Sequence, residues 1–366
     1  MSADDRRRAS WTARLFQVPP ARLALALALG TAGGVLFDAL GLPLAWMLGA
    51  MTASTVCALG GLPVAMDQRL RKGMVAVLGV MIGSAFTPDL AGRLPQWGPS
   101  LIGLAVYTLT AVLVSGAYFR RIAKYDPITA HFSAVPGGVT EMTLVGGAMG
   151  ADDRTISLSH GLRILVTVFV IPFWFSYFEG FDGAGQAIAE PLRGLSGRDA
   201  LVMAACALAG APLAARLRIP AAYLTGPLIL SAIVHLAGAT EARPPDTLVA
   251  VAQVVLGTAI GCRFAGVELG RVMHTLRHGL AAVVLLLGLT FLFGTGLAAL
   301  TGLERKALFL AFAPGGVTEM SLIALALGID LAYVSTHHLA RILMVVVLAP
   351  LSFRLLGKRG KAEPIE

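Results

Sequence analysis

Apolar residues fall along the chain in long runs, not in strand-like alternation. The runs cover about residues 22–41, 43–60, 73–88, 100–119, 128–150 and 158–178, then 199–217, 220–238, 248–265, 279–301, 308–328 and 333–353. Most approach the roughly 20 residues that carry a helix across a bilayer, and the charged residues gather between them. The pattern predicts an all-α polytopic membrane bundle. A basic arm (1–21) leads into a first block of runs (22–178), a loop rich in Gly and acids (179–198) divides the chain, a second block follows (199–356), and a basic tail closes it (357–366). The arm resembles a signal-peptide n-region. The run after it has a counterpart at 199–217, however, and a removable segment would not be half of a repeat.

The two blocks share more than their layout. Pro136-Gly137-Gly138-Val139-Thr140-Glu141-Met142 recurs unchanged as Pro314-Gly315-Gly316-Val317-Thr318-Glu319-Met320. The same spacing pairs Asp152 with Asp330, His160 with His338, Arg163 with Arg341 and Pro172 with Pro350. Such self-similarity marks a tandem duplication. Each Pro-Gly-Gly sits inside an apolar run, where Pro removes a backbone donor and costs about 3 kcal/mol in a helix, and each Gly about 1. Backbone freed at that depth needs protein or water partners, which a broken or re-entrant segment lining a cavity supplies. We expect about ten full spans plus two broken or re-entrant segments, with the repeats inverted. Twelve full spans would instead make them parallel. Lys and Arg weigh towards the N-terminal side in either arrangement, which places both termini in the cytoplasm.

Composition agrees with this class. Hydrophobic residues make up 56% and charged residues only 14%, half the charge of an ordinary soluble domain. The formal charge of +8 comes from Arg and Lys flanking apolar runs, not from a basic face with interleaved aromatics, so no nucleic-acid partner is expected. The partners implied are the lipid bilayer and a small-molecule solute. Cys57, Cys206 and Cys262 stand apart without a CxxC pairing. No Walker A, HExxH, GxSxG or CxxCH motif occurs, so neither an enzyme nor a cofactor or metal is expected.

Candidate chemistry centres on the repeated segments. A helix starting after each Pro-Gly-Gly presents unsatisfied N–H groups that attract anions, which makes Gly137, Gly138, Thr140, Glu141, Gly315, Gly316, Thr318 and Glu319 candidate substrate-binding residues. The plainer role for the two glutamates is to complement their own helix dipoles. Arg163 and Arg341 lie three residues after His160 and His338 on a shared helix face. Each Arg either snorkels to the headgroups, or faces the broken helix of its half to pair with its Glu or bind an anionic substrate. Glu141, Glu319, His160 and His338 are the candidate proton-coupling groups, since an intramembrane carboxylate is costly and imidazole titrates near neutrality. Asp152 and Asp330 fit helix N-caps.

The paired PGGVTEM segments, the duplication and the two His-x-x-Arg pairs resemble the AbrB family of bacterial inner-membrane proteins over roughly residues 22–356. The resemblance implies a multi-pass protein of the bacterial cytoplasmic membrane, linked by name to gene regulation and often labelled an ammonia monooxygenase. No metal-ligand set supports the oxygenase label. The architecture also looks like that of inverted-repeat carriers, and a homodimer is expected only by that analogy. A secondary transporter or exporter of a small anionic or zwitterionic solute is the leading expectation. A membrane regulator acting indirectly on gene expression stands second.

Overall fold

The computed structural model describes residues 18–178, 196–267 and 269–357. Its described residues form fourteen α-helices joined by short loops and three 3-10 turns. Six helical stretches are long and apolar enough to cross a membrane: Pro20–Ala39, Leu94–Arg121, Asp153–Phe178, Gly197–Arg216, Asp246–Phe264 and Thr275–Thr301. Several shorter apolar helices accompany them.

The helices pack into two compact units, each drawing on both sequence blocks. The first takes the described residues of Met1–Gly92, Val168–Val272 and Ser321–Ala332. In it lie α1 (Pro20–Ala39), α2 (Ala45–Leu59), α3 (Gln68–Gly83), α8 (Gly197–Arg216), α9 (Ala222–Leu236) and α10 (Asp246–Gly261). Its helices approach backbone to backbone. Gly33 of α1 faces Gly49 of α2, and Gly210 of α8 faces Gly226 of α9, too closely for a Cβ on any of the four. Gly79 of α3 lies against α9, where a Cβ would come within 2.6 Å of the Leu224 carbonyl oxygen, and Gly257 of α10 lies likewise against Met47 of α2. Small residues allow such approaches where apolar surface alone gives no drive for helix association. Local chemistry sets the helix starts. Asp67 accepts from the backbone N–H of Arg69 at 2.8 Å and of Leu70 at 3.1 Å, an ordinary N-cap.

The second unit takes the described residues of Arg93–Thr167, Met273–Met320 and Tyr333–Glu366. It holds α4 (Gly98–Arg121), α5 (Pro127–Ala134), α6 (Val139–Ala148) and the first part of α7 (Asp153–Phe178). From the later part of the chain it holds most of α11 (Leu269–Thr301), all of α12 (Arg305–Phe312), the start of α13 (Val317–Ala326) and most of α14 (Leu331–Gly357). The apolar run 128–150 is therefore two helices, α5 and α6. Asp126 caps α5 by accepting from Ile128 and Thr129 at 3.0 and 2.9 Å, with Pro127 at the first helical position. The helix stops at Val135, extended at φ −66° and ψ 122°, because Pro136 disfavours the α region for the residue before it. Ala313, before Pro314, ends α12 in the same way at φ −53° and ψ 142°.

After the break the chain turns back on itself. The N–H of Asp152, just beyond α6, donates to Thr129 Oγ1 at the start of α5, at 2.9 Å. Between these ends, Phe132, Val135, Met142 and Ile156 share one core with Ile128 and Met149. The α5–α6 segment is thus a helical hairpin with Pro-Gly-Gly at its tip. At about 1.5 Å per residue, its arms of eight and ten residues reach about half the thickness of a bilayer core. Asp152 then caps α7, accepting from Arg154 and Thr155 N–H at 3.1 and 3.3 Å.

Candidate functional site

Helix ends leave carbonyl groups without intrahelical partners, and in an apolar interior those groups must be satisfied by protein. The His-x-x-Arg pair of α14 does this for α12. His338 Nε2 donates to the Leu310 carbonyl at 2.9 Å. Arg341 Nη1 donates to the carbonyl of Ala313 at 2.6 Å, and its Nη2 donates to the carbonyl of Gly315 and faces His338 Nδ1 at 2.9 Å. A guanidinium only donates and a carbonyl only accepts. His338 is therefore held as the neutral Nε2–H tautomer, with Nδ1 accepting from Arg341.

The first block repeats half of this device. His160 Nε2 donates to the Phe132 carbonyl, also at 2.9 Å and across the same 28 residues of chain. Its arginine differs. Arg163 is only 7% exposed, yet its Nε and Nη1 have no hydrogen-bond partner among the described residues. The Val135 carbonyl, the counterpart of Ala313, instead accepts from Gly137 N–H at 2.8 Å. Arg163, Arg341 and the Tyr107 hydroxyl lie within electrostatic reach of one another. Leaving a cation buried without a hydrogen-bonded partner is costly, and Arg163 carries that cost at two nitrogens where Arg341 carries it only at Nε among the described residues.

The remaining predicted residues take defined places. Glu319 is half-buried in the first turn of α13. Its Oε2 accepts from Thr318 Oγ1 at 2.7 Å and lies over Gly316, where a Cβ would collide with the carboxylate. It thus turns towards its own helix start, in the manner of a capping carboxylate, while Arg341 is turned to main-chain carbonyls. Gly137 and Gly315 lie beneath Met142 and Met320, whose side chains fold back over the break. Gly138 is the N-cap of α6. The backbones of Thr140 and Glu141 are in the first turn of α6, but their side chains lie outside the described residues.

The site also contains residues that the repeat pattern did not single out. Tyr107 of α4 is 1% exposed, hydrogen-bonds Thr290 of α11 at 2.9 Å, and makes an edge contact with Phe312 at the end of α12, ring centres 5.3 Å apart. His337 donates through Nδ1 to the Tyr333 carbonyl at 2.8 Å and meets Ser100 Oγ with Nε2 at 2.8 Å. Neither pair recurs at the repeat spacing, which left periodicity nothing to find. The adjacency of His337 to His338 was its one visible signal.

Comparison with known proteins gives a consistent picture. The profile of the AbrB family, described as transition state regulatory protein AbrB, matches residues 46–357. A Bacillus subtilis (strain 168) protein named "Uncharacterized protein YhjN" is 28% identical over 353 residues, covering 90% of this chain and 92% of its own. An Escherichia coli (strain K12) protein named "Putative regulator AbrB" is 23% identical over 339 residues, covering 92% of this chain and 94% of its own.

Proposed function

This chain belongs to the AbrB family of multi-pass membrane proteins, and from that premise we propose that it is a secondary transporter or exporter of a small anionic or zwitterionic solute. The observation that carries the reading is Arg163, only 7% exposed and holding two guanidinium nitrogens without hydrogen-bond partners among the described residues. In this reading the solute's anionic group binds Arg163, with Arg341 adding positive potential from the second broken segment. The N–H groups after Gly137-Gly138 and Gly315-Gly316 face the same anion. Glu141, Glu319, His160 and His338 are the proton-coupling groups. His338 joins when Arg341 leaves its Nδ1.

The reading takes the chain as an inverted tandem duplication with five crossings and one re-entrant hairpin per half, both termini being cytoplasmic. The bond from Asp152 to Thr129 supports the hairpin, since it returns the chain to the side from which α5 started. An odd number of crossings inverts the second half relative to the first. The reading involves no chemical transformation of the solute, and no cofactor. Whether the carrier works as a monomer or a homodimer does not alter the site.

The test is uptake by proteoliposomes under an imposed pH gradient, using a panel of labelled small carboxylates, amino acids and inorganic anions. The proposal expects saturable flux of at least one compound in the native protein and none above background in Arg163→Gln. Flux that survives the substitution overturns it. The printed name of the Escherichia coli relative favours a second reading, a regulator that senses the solute. Restoration of the gene-expression phenotype of a deletion strain by the transport-dead variant would support sensing.

A further inference from the structure

The first compact unit holds a cavity that the transport reading does not use. It has a volume of about 830 Å³ and is walled by one face of α3 and one face of α8, with Gly73 and Val80 on one side and Ala204 and Ala207 on the other. Its charged lining residues, Arg69 and Lys72, both lie in the first five residues of α3, at one end. Lys72 Nζ sits 4.5 Å above the ring centre of Tyr223, which also lines the cavity and holds the ammonium by a cation–π contact. Leu208, on the α8 wall, is 77% exposed, so that wall reaches the surface of the unit.

These features define the occupant by its chemistry. From Arg69 to Val80, α3 rises about 16 Å at 1.5 Å per residue, close to the roughly 15 Å of one leaflet's hydrocarbon. A wall of Gly and Ala with a basic pair at one end matches an amphipathic ligand with an anionic head and a tail one leaflet long. A free phosphate would leave the apolar length empty, and a zwitterionic lipid carries a cation of its own beside its phosphate, which Arg69 and Lys72 repel. We propose that the α3–α8 groove is a binding site for one anionic glycerophospholipid, its phosphate held by Arg69 and Lys72 and an acyl chain lying along the small-residue wall.

The experiment is thermal unfolding of the full-length protein in a neutral detergent, with phosphatidylglycerol, phosphatidylcholine, glycerol 3-phosphate or inorganic phosphate added. A ligand present at a hundredfold excess over its Kd raises Tm by about 3–4 °C in a chain of this size. Phosphatidylglycerol should produce such a rise, the other three little or none. In Arg69→Gln/Lys72→Gln the lipid preference should vanish. In Ala204→Phe, which fills the groove and keeps the charges, it should vanish too. Equal shifts with both lipids, a full shift with glycerol 3-phosphate or phosphate alone, or a preference surviving both variants would overturn the proposal. So would a shift that tracks protein concentration, since a second copy of the chain would then be the occupant.

Discussion

Arg341 donates to the carbonyl of Ala313 at 2.6 Å, while the Val135 carbonyl at the matching point of the first block accepts from Gly137 instead, and Arg163 Nε and Nη1 have no partner among the described residues. Two identical sequence motifs thus end in different states. One arginine holds a helix break together. The other is buried with two nitrogens unpartnered among the described residues.

That difference predicts opposite stability effects. Arg341→Lys should lower stability by about 1–3 kcal/mol, because a single ammonium cannot satisfy two carbonyls in the fork geometry of a guanidinium. Arg163→Met should be neutral or stabilising, since it removes an uncompensated buried charge. Thermal unfolding of the two variants in detergent checks both signs.

The His338 tautomer is a spectroscopic prediction. With Nε2–H on the Leu310 carbonyl and Nδ1 accepting from Arg341, nitrogen NMR of histidine-labelled protein should show a neutral ring protonated at Nε2. In Arg341→Met, Nδ1 loses its donor, and its resonance should move to that of an imine nitrogen without a hydrogen bond while Nε2 stays protonated. An imidazolium signal in the native protein at neutral pH would contradict the assignment.

Hairpin geometry predicts sidedness. Lys124 precedes α5 and Arg154 follows α6, and both are exposed. Cysteines placed there in a cysteine-free background should react with a membrane-impermeant maleimide from the same side. Labelling from opposite sides would mean that the segment crosses. Thr129→Val, which removes the acceptor for Asp152 N–H, should cost about 1 kcal/mol.

Close helix approach gives a steric prediction. Gly226→Val puts a branched side chain against the Gly210 carbonyl, a backbone group that cannot yield. Overpacking of this kind costs typically 1–3 kcal/mol, and the variant should show reduced yield and a lower Tm.

Much of this architecture was legible in the residues. Apolar runs marked the long helices, Pro136 and Pro314 marked the ends of α5 and α12, and Asp152 marked the start of α7, because each follows from local backbone chemistry. The apposition of Gly79 to α9 and of Gly257 to α2 was not legible, because periodicity names a helix face and not its partner. The distinct fates of Arg163 and Arg341 were invisible, since both stand in the same His-x-x-Arg pattern. Tyr107 and Thr290 meet across 183 residues of chain with no motif to announce them.

The central claim is that Arg163 receives an anion. Electrometry on a solid-supported membrane measures it directly, because a charged solute entering a buried site displaces charge even when turnover is slow. Proteoliposomes of the native protein, challenged in turn with acetate, a dicarboxylate, phosphate, sulfate and a neutral amino acid, should give a saturable transient with at least one of them, and Arg163→Gln should give none. A transient of equal size and affinity in the variant would contradict the account.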